Sequence, residues 1–488
     1  MSVFLYGLER ELQPLVSVLQ RSIKVSRAAG GKSGLAEYRV GEATNSGNGE
    51  TLVIWGNAAA SIPPRSWRHI LNHPESLQCL HEPRRWRNLL RIHGMRVHQQ
   101  DEPELAGFAK CYTIPVFHLR ALAIYETVTS SFGSSMKLTE LEESKRHHRR
   151  LGREAVRALY AVGADYGLVT MRADENGRLV IISLSADPAL ESYPGLTGLY
   201  AEALKQYVEE KVREEHHITP MSKALLGSDP EFILRNRITG EIEDASKYLS
   251  RKGSAGSDAI SINGEITYRL AELRPEPASD PKTLILNIMR TMRTASRAIR
   301  NPHLEWLAGG MPVNGYALGG HVHFSGLILN SDILRALDNY LALPLVLAED
   351  ETTADRRPRY GFLGDFRMQP HGGFEYRTLP SWLVTPKITK GVLSTAAVIA
   401  AHYQELNRRP LNQFQWVNAY YMGTKADLLN QAELIYADLK ATSSFLLYES
   451  YLLPFWEQIL MMKPWKEQTD VRKAWKIPPF DVAADSMR

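Results

Sequence analysis

Two histidines two residues apart, His321 and His323 in LGGHVHFSG, stand between glycines. Three other stretches in the same half of the chain carry charged residues at the same spacing. They are Asp229 and Glu231 in GSDPEF, Glu272 and Arg274 in LAELRPEP, and Glu375 and Arg377 in FEYRTL. In a β-strand, residues i and i+2 share a face. Each stretch therefore turns its charged pair to one side, with apolar, aromatic or proline residues beside it. Glu276 follows just past Pro275. An ordinary half-wet sheet would scatter Lys, Thr, Ser and Glu on its solvent side. These faces hold carboxylates, arginines and histidines. Carboxylates crowded together repel and take up protons unless a cation neutralises them. Carboxylate oxygens suit Mg²⁺ or Mn²⁺, with phosphate oxygens completing the shell. The guanidinium forks of Arg274 and Arg377 suit phosphate. The chemistry implied is a nucleoside triphosphate held together with its metals.

A second feature fits the same ligand. Residues 350–373, DETTADRRPRYGFLGDFRMQPHGG, form a long, glycine-punctuated basic stretch containing Arg356, Arg357, Arg359 and Arg367. A loop of this length inside a domain is usually a lid or a binding loop.

The elements that must position these residues can be read around them. PEFILRNRITGEIEDAS (230–246) reads as a hairpin turning at Thr239-Gly240, and EITYRLAELRPEP (265–277) as a strand. Asp280-Pro281 opens a helix with Asp as N-cap and an apolar stripe of Leu284, Ile288, Met292 and Ala295. LGGHVHFSGLIL is a strand, Ser331 caps a helix over 332–348, and GFEYRTLPSW (373–382) is a further strand before a helix starting at Thr385-Pro386. GVLSTAAVIAA (391–401) is too short to span a membrane and reads as a buried helix. The last ~85 residues are helical, with Trp416, Trp456, Trp465 and Trp475 packing as core and covering the sheet.

The best domain boundary lies near 218–225, after the polar helix LYAEALKQYVEEKVREEHH (199–217). Ahead of it, ETLVIWG (50–56) is a buried strand after a loop at 41–51. SWRHILNHPESLQCL and PRRWRNLLRIHG are helices, the second capped at Gly94. REAVRALYAVG is a helix ending at Gly163, and 166–186 is a hairpin turning around Glu175-Asn176-Gly177.

With 488 residues, 44% apolar and 23% charged, the chain has the composition of a soluble globular protein of two to four domains. Two cysteines, Cys79 and Cys111, exclude a disulfide framework and a multi-cysteine zinc site. The N-terminus meets charged residues too early for a signal peptide, so a cytoplasmic location is expected. A net charge of +4 does not call for nucleic acid. The basic clusters EPRRWRNLLR (82–91) and KRHHRR (145–150) read as solvated helix faces.

The four charged stretches, in this order, resemble the metal and nucleotide motifs of the glutamine synthetase superfamily. More closely, GSDPEF, ELRPEP, GGHVHF, the basic loop and GFEYRTLPSW resemble the phage phiEco32-like carboxylate–amine ligase type 2 family, over about residues 225–405. The resemblance implies an α+β fold, a half-open antiparallel barrel with covering helices over 225–488, the helical extension beginning near 405. It implies an ATP-dependent ligase using Mg²⁺ or Mn²⁺. Asp229, Glu231, Glu272, His321 and Glu375 would ligate metal. His323 would touch nucleotide or substrate. Arg377 would hold the γ-phosphate, and Arg274 with one of Arg356, Arg357, Arg359 and Arg367 would hold phosphate or a carboxylate. Residues 1–218 are similar to a degenerate ATP-grasp α/β domain, with Ser183 and Ser185 where metal ligands would stand. That domain would serve as scaffold, docking or substrate-presenting unit.

The implied reaction converts a carboxylate to an acyl phosphate, which an amine then attacks. Catalysis is positioning plus charge neutralisation, and Glu276 is a candidate base for the amine proton. The expected substrates are a small-molecule or peptide carboxylate and amine. No membrane insertion is expected, and homo-oligomerisation is left open. A zinc-type hydrolase accounts for the histidines but leaves Arg274 and Arg377 without a role. A catalytically dead scaffold leaves the intact carboxylates without one. A nucleic-acid binder would show steep salt dependence.

Overall fold

In a computed structural model, the described residues are 2–30, 34–41, 50–56, 67–98, 110–130, 133–174, 176–216, 224–262 and 265–479. The chain divides into two units, Met1–Ile218 and Thr219–Arg488. Both mix helices with largely antiparallel sheets, so the fold class is α+β. Among the described residues no helix is long and apolar enough to cross a membrane.

The first unit has two sheets. In one, Ser2–Leu8 lies between Leu35–Val40, antiparallel, and Glu50–Ile54, parallel. In the other, Tyr166–Ala173 lies between Leu179–Ser185 and Lys110–Phe117, both antiparallel. The Gly177 turn of the first of these hairpins has φ +69°, while Glu175 lies outside the described residues. Most of the 41–51 loop lies outside them too. The expected helix from Ser66 begins only at Pro74; His69–Leu71 is a strand. Asn72 causes the break. It turns the chain at φ +56°, and its side-chain oxygen accepts the N–H of Asp165 at 2.7 Å. His73 then caps the helix, with Pro74 at its first position. Trp55 and Tyr166 stack at 4.8 Å in this unit's core.

The second unit is built on two antiparallel sheets, called here the first and second segments. The first segment orders Leu225–Ser228, Val322–Ser325, Phe374–Tyr376 and Phe366–Met368. The second orders Ile242–Glu243, Glu231–Asn236, Glu265–Leu273 and Ala255–Ile262, with Leu304–Leu307 also on Glu231–Asn236. They join where Glu231 donates its N–H to the Gly319 carbonyl at 2.9 Å. Two antiparallel sheets linked at this point, with helices packed on them, make up the expected α+β unit.

Local chemistry explains most of the connections. Gly240 turns the hairpin at φ +77°. Asp280 caps Pro281–Ala298 by accepting from Thr283 N, and Leu284, Ile288, Met292 and Ala295 are all buried. Thr385 caps Pro386–His402, which is buried along most of its length. Two expectations change. Asn330, not Ser331, caps the helix after the histidine strand, because its side chain accepts from Ile333 N at 2.9 Å. That helix runs Ser331–Leu337 and continues as π and 3-10 turns instead of one α-helix to 348. Of the C-terminal helices, Val471–Trp475 packs on the strand Leu304–Leu307, as expected, and another packs on a helix. Glu449–Leu460 lies on Pro386–His402, so close that a Cβ on Gly391 would fall 2.0 Å from the Phe455 ring. Trp456, Trp465 and Trp475 are buried as expected, while Trp416 is half-buried.

Candidate active site

Register brings the four charged stretches into two rows. Gly227, His323, Glu375 and Arg367 face one another across the first segment. Glu231, Glu272 and Gly256 face one another across the second. In each pair one residue lies in a strand (Glu231, Glu272, His323 or Glu375) and the other stands just beyond the strand's end. The strands are thus shorter than the sequence suggests, strand period alone does not place both members, and the charged face is short. Ile233 and Leu270, two residues from Glu231 and Glu272, form an apolar plug with Ile260, Leu307, Tyr316 and Leu318. The opposite face is filled by Phe232, Ala271, Leu273, Val322, Phe324 and Phe374.

Two groups of ligand atoms result, each within 4.8 Å: Asp229, His323 and Glu375, and Glu231, Asp258 and Glu272. The structure thus brings His323, rather than His321, to the first donor set. His321 lies between two carboxylates, its Nδ1 3.0 Å from Asp229 Oδ1 and 3.0 Å from Glu375 Oε1. Burial would strip its proton, but Asp229, Glu375 and Glu231 raise it to about 10, so the ring is a fixed counter-charge. Burial would also raise Asp229, yet His321 and His323 hold it well below the usual carboxylate range. Glu375 is likewise held low against burial, by His321 and then Arg377. The second group behaves oppositely. Burial, then Asp229, push Glu272 up to about 8, and burial raises Glu231.

A cation would resolve both groups. In the first group, Asp229 Oδ1, His323 Nε2 and Glu375 Oε1 are buried without a well-formed hydrogen bond. Buried polar atoms left so are costly. Glu231, Asp258 and Glu272 offer only carboxylate oxygens, the donor set of Mg²⁺ or Mn²⁺, while His323 adds nitrogen to the first set. The residues present fit two divalent ions.

The supporting contacts are specific. Gly319 N donates to Glu231 Oε2 at 2.6 Å, and Ser381 Oγ donates to the Glu231 carbonyl at 2.5 Å. A Cβ on Gly319 would lie 2.4 Å from His321 Nε2, so the ring occupies space only glycine leaves. Trp382 Nε1 donates to the Gly320 carbonyl at 2.7 Å.

The arginines divide. Arg377 Nε lies 3.2 Å from Glu375 Oε1, Arg367 Nη1 lies 3.4 Å from Glu375 Oε2, and Arg274 pairs with Glu272. Arg356 is buried and donates to the Thr378 carbonyl at 2.8 Å. Arg357 is buried against Glu349 at 2.8 Å, over the Tyr420 ring. Arg359 is exposed beside Tyr360. The basic stretch is thus no free loop. It folds into a 3-10 turn, Glu351–Arg356, and the strand Phe366–Met368, because two of its guanidiniums are structural. Glu276 is exposed, and its described hydrogen bond is from Asn287 Nδ2 to its backbone carbonyl.

Sequence reasoning missed Asp258 and Gln369. Asp258 stands in AGSDAISI, the strand pairing with the Glu272 strand. The same i, i+2 reading applied there would have placed it two residues from Gly256, on the face of Glu272. Gln369 donates to Glu375 Oε2 at 3.0 Å from beyond a strand too short to recognise.

Antiparallel strands carrying two carboxylate-rich donor sets and flanking arginines define a candidate metal-dependent site. The model of the phage phiEco32-like COOH·NH2 ligase type 2 family matches residues 226–477, and the chain belongs to that family. No curated protein matches. Distant likenesses exist among solved structures. One is the ATP-grasp ligase PsnB complexed with minimal precursor, at 13% identity, covering 42% of this chain and 98% of that one, TM-score 0.27. Another is a bifunctional glutathione synthetase from Pasteurella multocida, at 9% identity, covering 54% and 51%, TM-score 0.34. A third is a Plasmodium falciparum glutamine synthetase, at 9% identity, covering 75% and 97%, TM-score 0.30.

Proposed function

We propose that the second unit is an ATP- and divalent-metal-dependent carboxylate–amine ligase, joining a small-molecule or peptide carboxylate to an amine through an acyl phosphate. The observation that carries this reading is the pairing of two donor sets, Asp229/His323/Glu375 and Glu231/Asp258/Glu272, with Arg274, Arg367 and Arg377 at their rim. Bound divalent ions would neutralise the triphosphate and the charge developing on its γ-phosphoryl group. The chain's own residues do the rest. His321 fixes Asp229 and Glu375 at one geometry. Arg377 and Arg367 lie beside Glu375, where their forks can take phosphoryl oxygens. Arg274 lies beside Glu272 and can take a phosphate or the substrate carboxylate. A carboxylate oxygen attacks the γ-phosphorus and ADP leaves; the amine then attacks the acyl carbon and phosphate leaves. The first unit, in this reading, is an ATP-grasp-like remnant without chemistry of its own. Ser185, at one expected ligand position, spends its hydroxyl on the Asp187 carbonyl at 2.8 Å.

The test needs no knowledge of the substrates. Thermal unfolding is followed with ATP, with Mg²⁺ or Mn²⁺, and with both, for the wild type and for Glu231→Gln and Glu375→Gln. A ligand at ~100 times its Kd stabilises the native state by about 2.7 kcal/mol. The expected result is a metal-dependent ATP shift that both variants lose. A shift with zinc alone and none with ATP would point to a metallohydrolase. No shift with any of them would point to a scaffold.

A further inference from the structure

The first unit carries a feature that the ligase reading leaves unused. Helix Pro83–Ile92 has the sequence PRRWRNLLRI and helix Arg146–Ala161 the sequence RHHRRLGREAVRALYA. Together they hold nine arginines and a single carboxylate, Glu154. The whole chain carries only +4, so the remainder is net acidic. The two helices are neighbours: Arg157 of the second donates to the carbonyl of His93, which ends the first. Their apolar sides are buried, through Trp86, Leu89 and Leu90 on one and Leu151, Ala155, Ala158 and Leu159 on the other. Arg84, Arg91, Arg146, Arg149, Arg150 and Arg153 are exposed, and Arg85 is half-buried.

Helical spacing orders these charges. Arg146, Arg150, Arg153 and Arg157 follow one another at three or four residues, forming one row ~16 Å long at 1.5 Å per residue. Like charges at this spacing destabilise a helix on their own. The same row concentrates positive potential on one side of the unit, which steers and holds polyanions.

We propose that this two-helix face binds the phosphate backbone of nucleic acid, as a site within the first unit separate from the ligase chemistry. One observation favours phosphate backbone over an acidic polypeptide: every cation on the two helices other than histidine is an arginine, whose planar fork matches phosphate oxygens bidentately. A second favours duplex over single strand. Trp86 is buried under Arg87, which lies 4.8 Å over its ring, so this helix offers no ring for stacking a base. The partner is therefore a duplex held by its backbone, without sequence preference.

The test is fluorescence anisotropy of the full chain with a labelled random-sequence 20-base-pair DNA duplex and the matching RNA duplex, from low to physiological salt. Single strands and polyglutamate serve as competitors. The expected result is binding to duplex whose log affinity falls linearly with log salt, with a slope on the order of −3 to −5 for four to six phosphates. Arg146→Gln/Arg150→Gln/Arg153→Gln should weaken it at least tenfold and flatten the slope, with circular dichroism unchanged. The same three positions changed to Lys should retain most of the binding. Absence of binding at low salt, or equal binding by the triple Gln variant, overturns the proposal. Displacement by polyglutamate at matched charge as readily as by duplex assigns the face to an acidic polypeptide instead.

Discussion

Gly256 faces Glu272 across the sheet, and a Cβ built on it would fall 2.1 Å from Nη1 of Arg274. The guanidinium crosses the backbone of the neighbouring strand where a side chain is missing, and so reaches Glu272. Glycine here is a condition for placing an arginine. Gly256→Ala should therefore displace Arg274 without unfolding the chain, because the severe clash is with the far end of a flexible side chain, while the Ser250 carbonyl oxygen, 3.2 Å away, need shift by only a few tenths of an ångström. Expected are a slightly lower melting temperature without ligands and a smaller ATP-plus-metal shift. Added to Arg274→Ala, the glycine substitution should change little more. A fully additive double mutant would show that Gly256 acts elsewhere.

Two donor sets imply two ions. Titrating the metal-free chain with Mn²⁺ in the presence of a non-hydrolysable ATP analogue should show two ions per chain. Asp258→Asn and Glu272→Gln should each remove one, and Asp229→Asn and Glu375→Gln should each remove the other. The Asp258 result is the sharper one, since that residue lies outside the four charged stretches and joins the set through strand pairing. One ion in the wild type, or an Asp258→Asn variant that still binds two, would refute the two-set arrangement.

The arginines of the basic stretch should separate into two kinds. Arg357 and Glu349 are a buried pair, each side chain 3% exposed. Removing one partner leaves the other charge buried, at a cost of ~3–5 kcal/mol. Arg357→Ala should thus lower the melting temperature strongly. Arg367, with its side chain 57% exposed, should tolerate the same change while losing nucleotide-dependent stabilisation. Equal effects of the two substitutions on both readouts would contradict this division.

The site was largely legible because strand period is simple. Strand period places Glu231, Glu272, His323 and Glu375, while Asp229, Arg274, His321 and Arg377 stand at strand ends and are placed by the chain's turns. What could not be read is which atom fills which gap. His321 and His323 share a face, and only the placing of Asp229 and Glu375 decides that one ring is wedged and the other is offered. Arg356 and Arg357 look like Arg367 in the sequence. Their burial depends on Thr378 and Glu349, and no local pattern announces either partnership. Asn72 illustrates the same limit in the first unit: its turn is fixed by Asp165, ninety-three residues away.

His93 gives the first unit a pH signature. The ring is buried, and burial, then Arg157, lower it from 6.5 to about 3. The folded state thus refuses a proton that the unfolded chain accepts. The stability this represents is complete above pH 6.5 and is lost as pH falls towards 3, by up to about 1.4 kcal/mol per unit. Melting curves between pH 7 and 5 should show the decline, and His93→Gln should make it shallower whatever its own stability. An unchanged slope in that variant would assign the acid sensitivity to other groups.

The C-terminal segment should prove necessary to the candidate active site although it contributes no residue to it. Glu467 is buried and accepts from Gly310 N at 2.5 Å, Met311 N at 2.8 Å, Thr353 Oγ1 at 2.5 Å and Trp465 Nε1 at 3.1 Å. It thereby ties the turn before the histidine strand to the start of the basic stretch. Gly309 has φ +122°, and a Cβ there would fall 2.3 Å from the Glu467 carboxylate, so the turn is shaped to receive it. Glu467→Ala strands several buried donors at ~1–3 kcal/mol each, even if water recovers part of the loss. The expected result is a fall of at least ~3 kcal/mol in urea unfolding, together with loss of the ATP-plus-metal shift. Glu467→Gln, which keeps one acceptor oxygen and the side-chain shape, should lose less of both. An alanine variant of near-wild-type stability would show that the turn holds without this carboxylate.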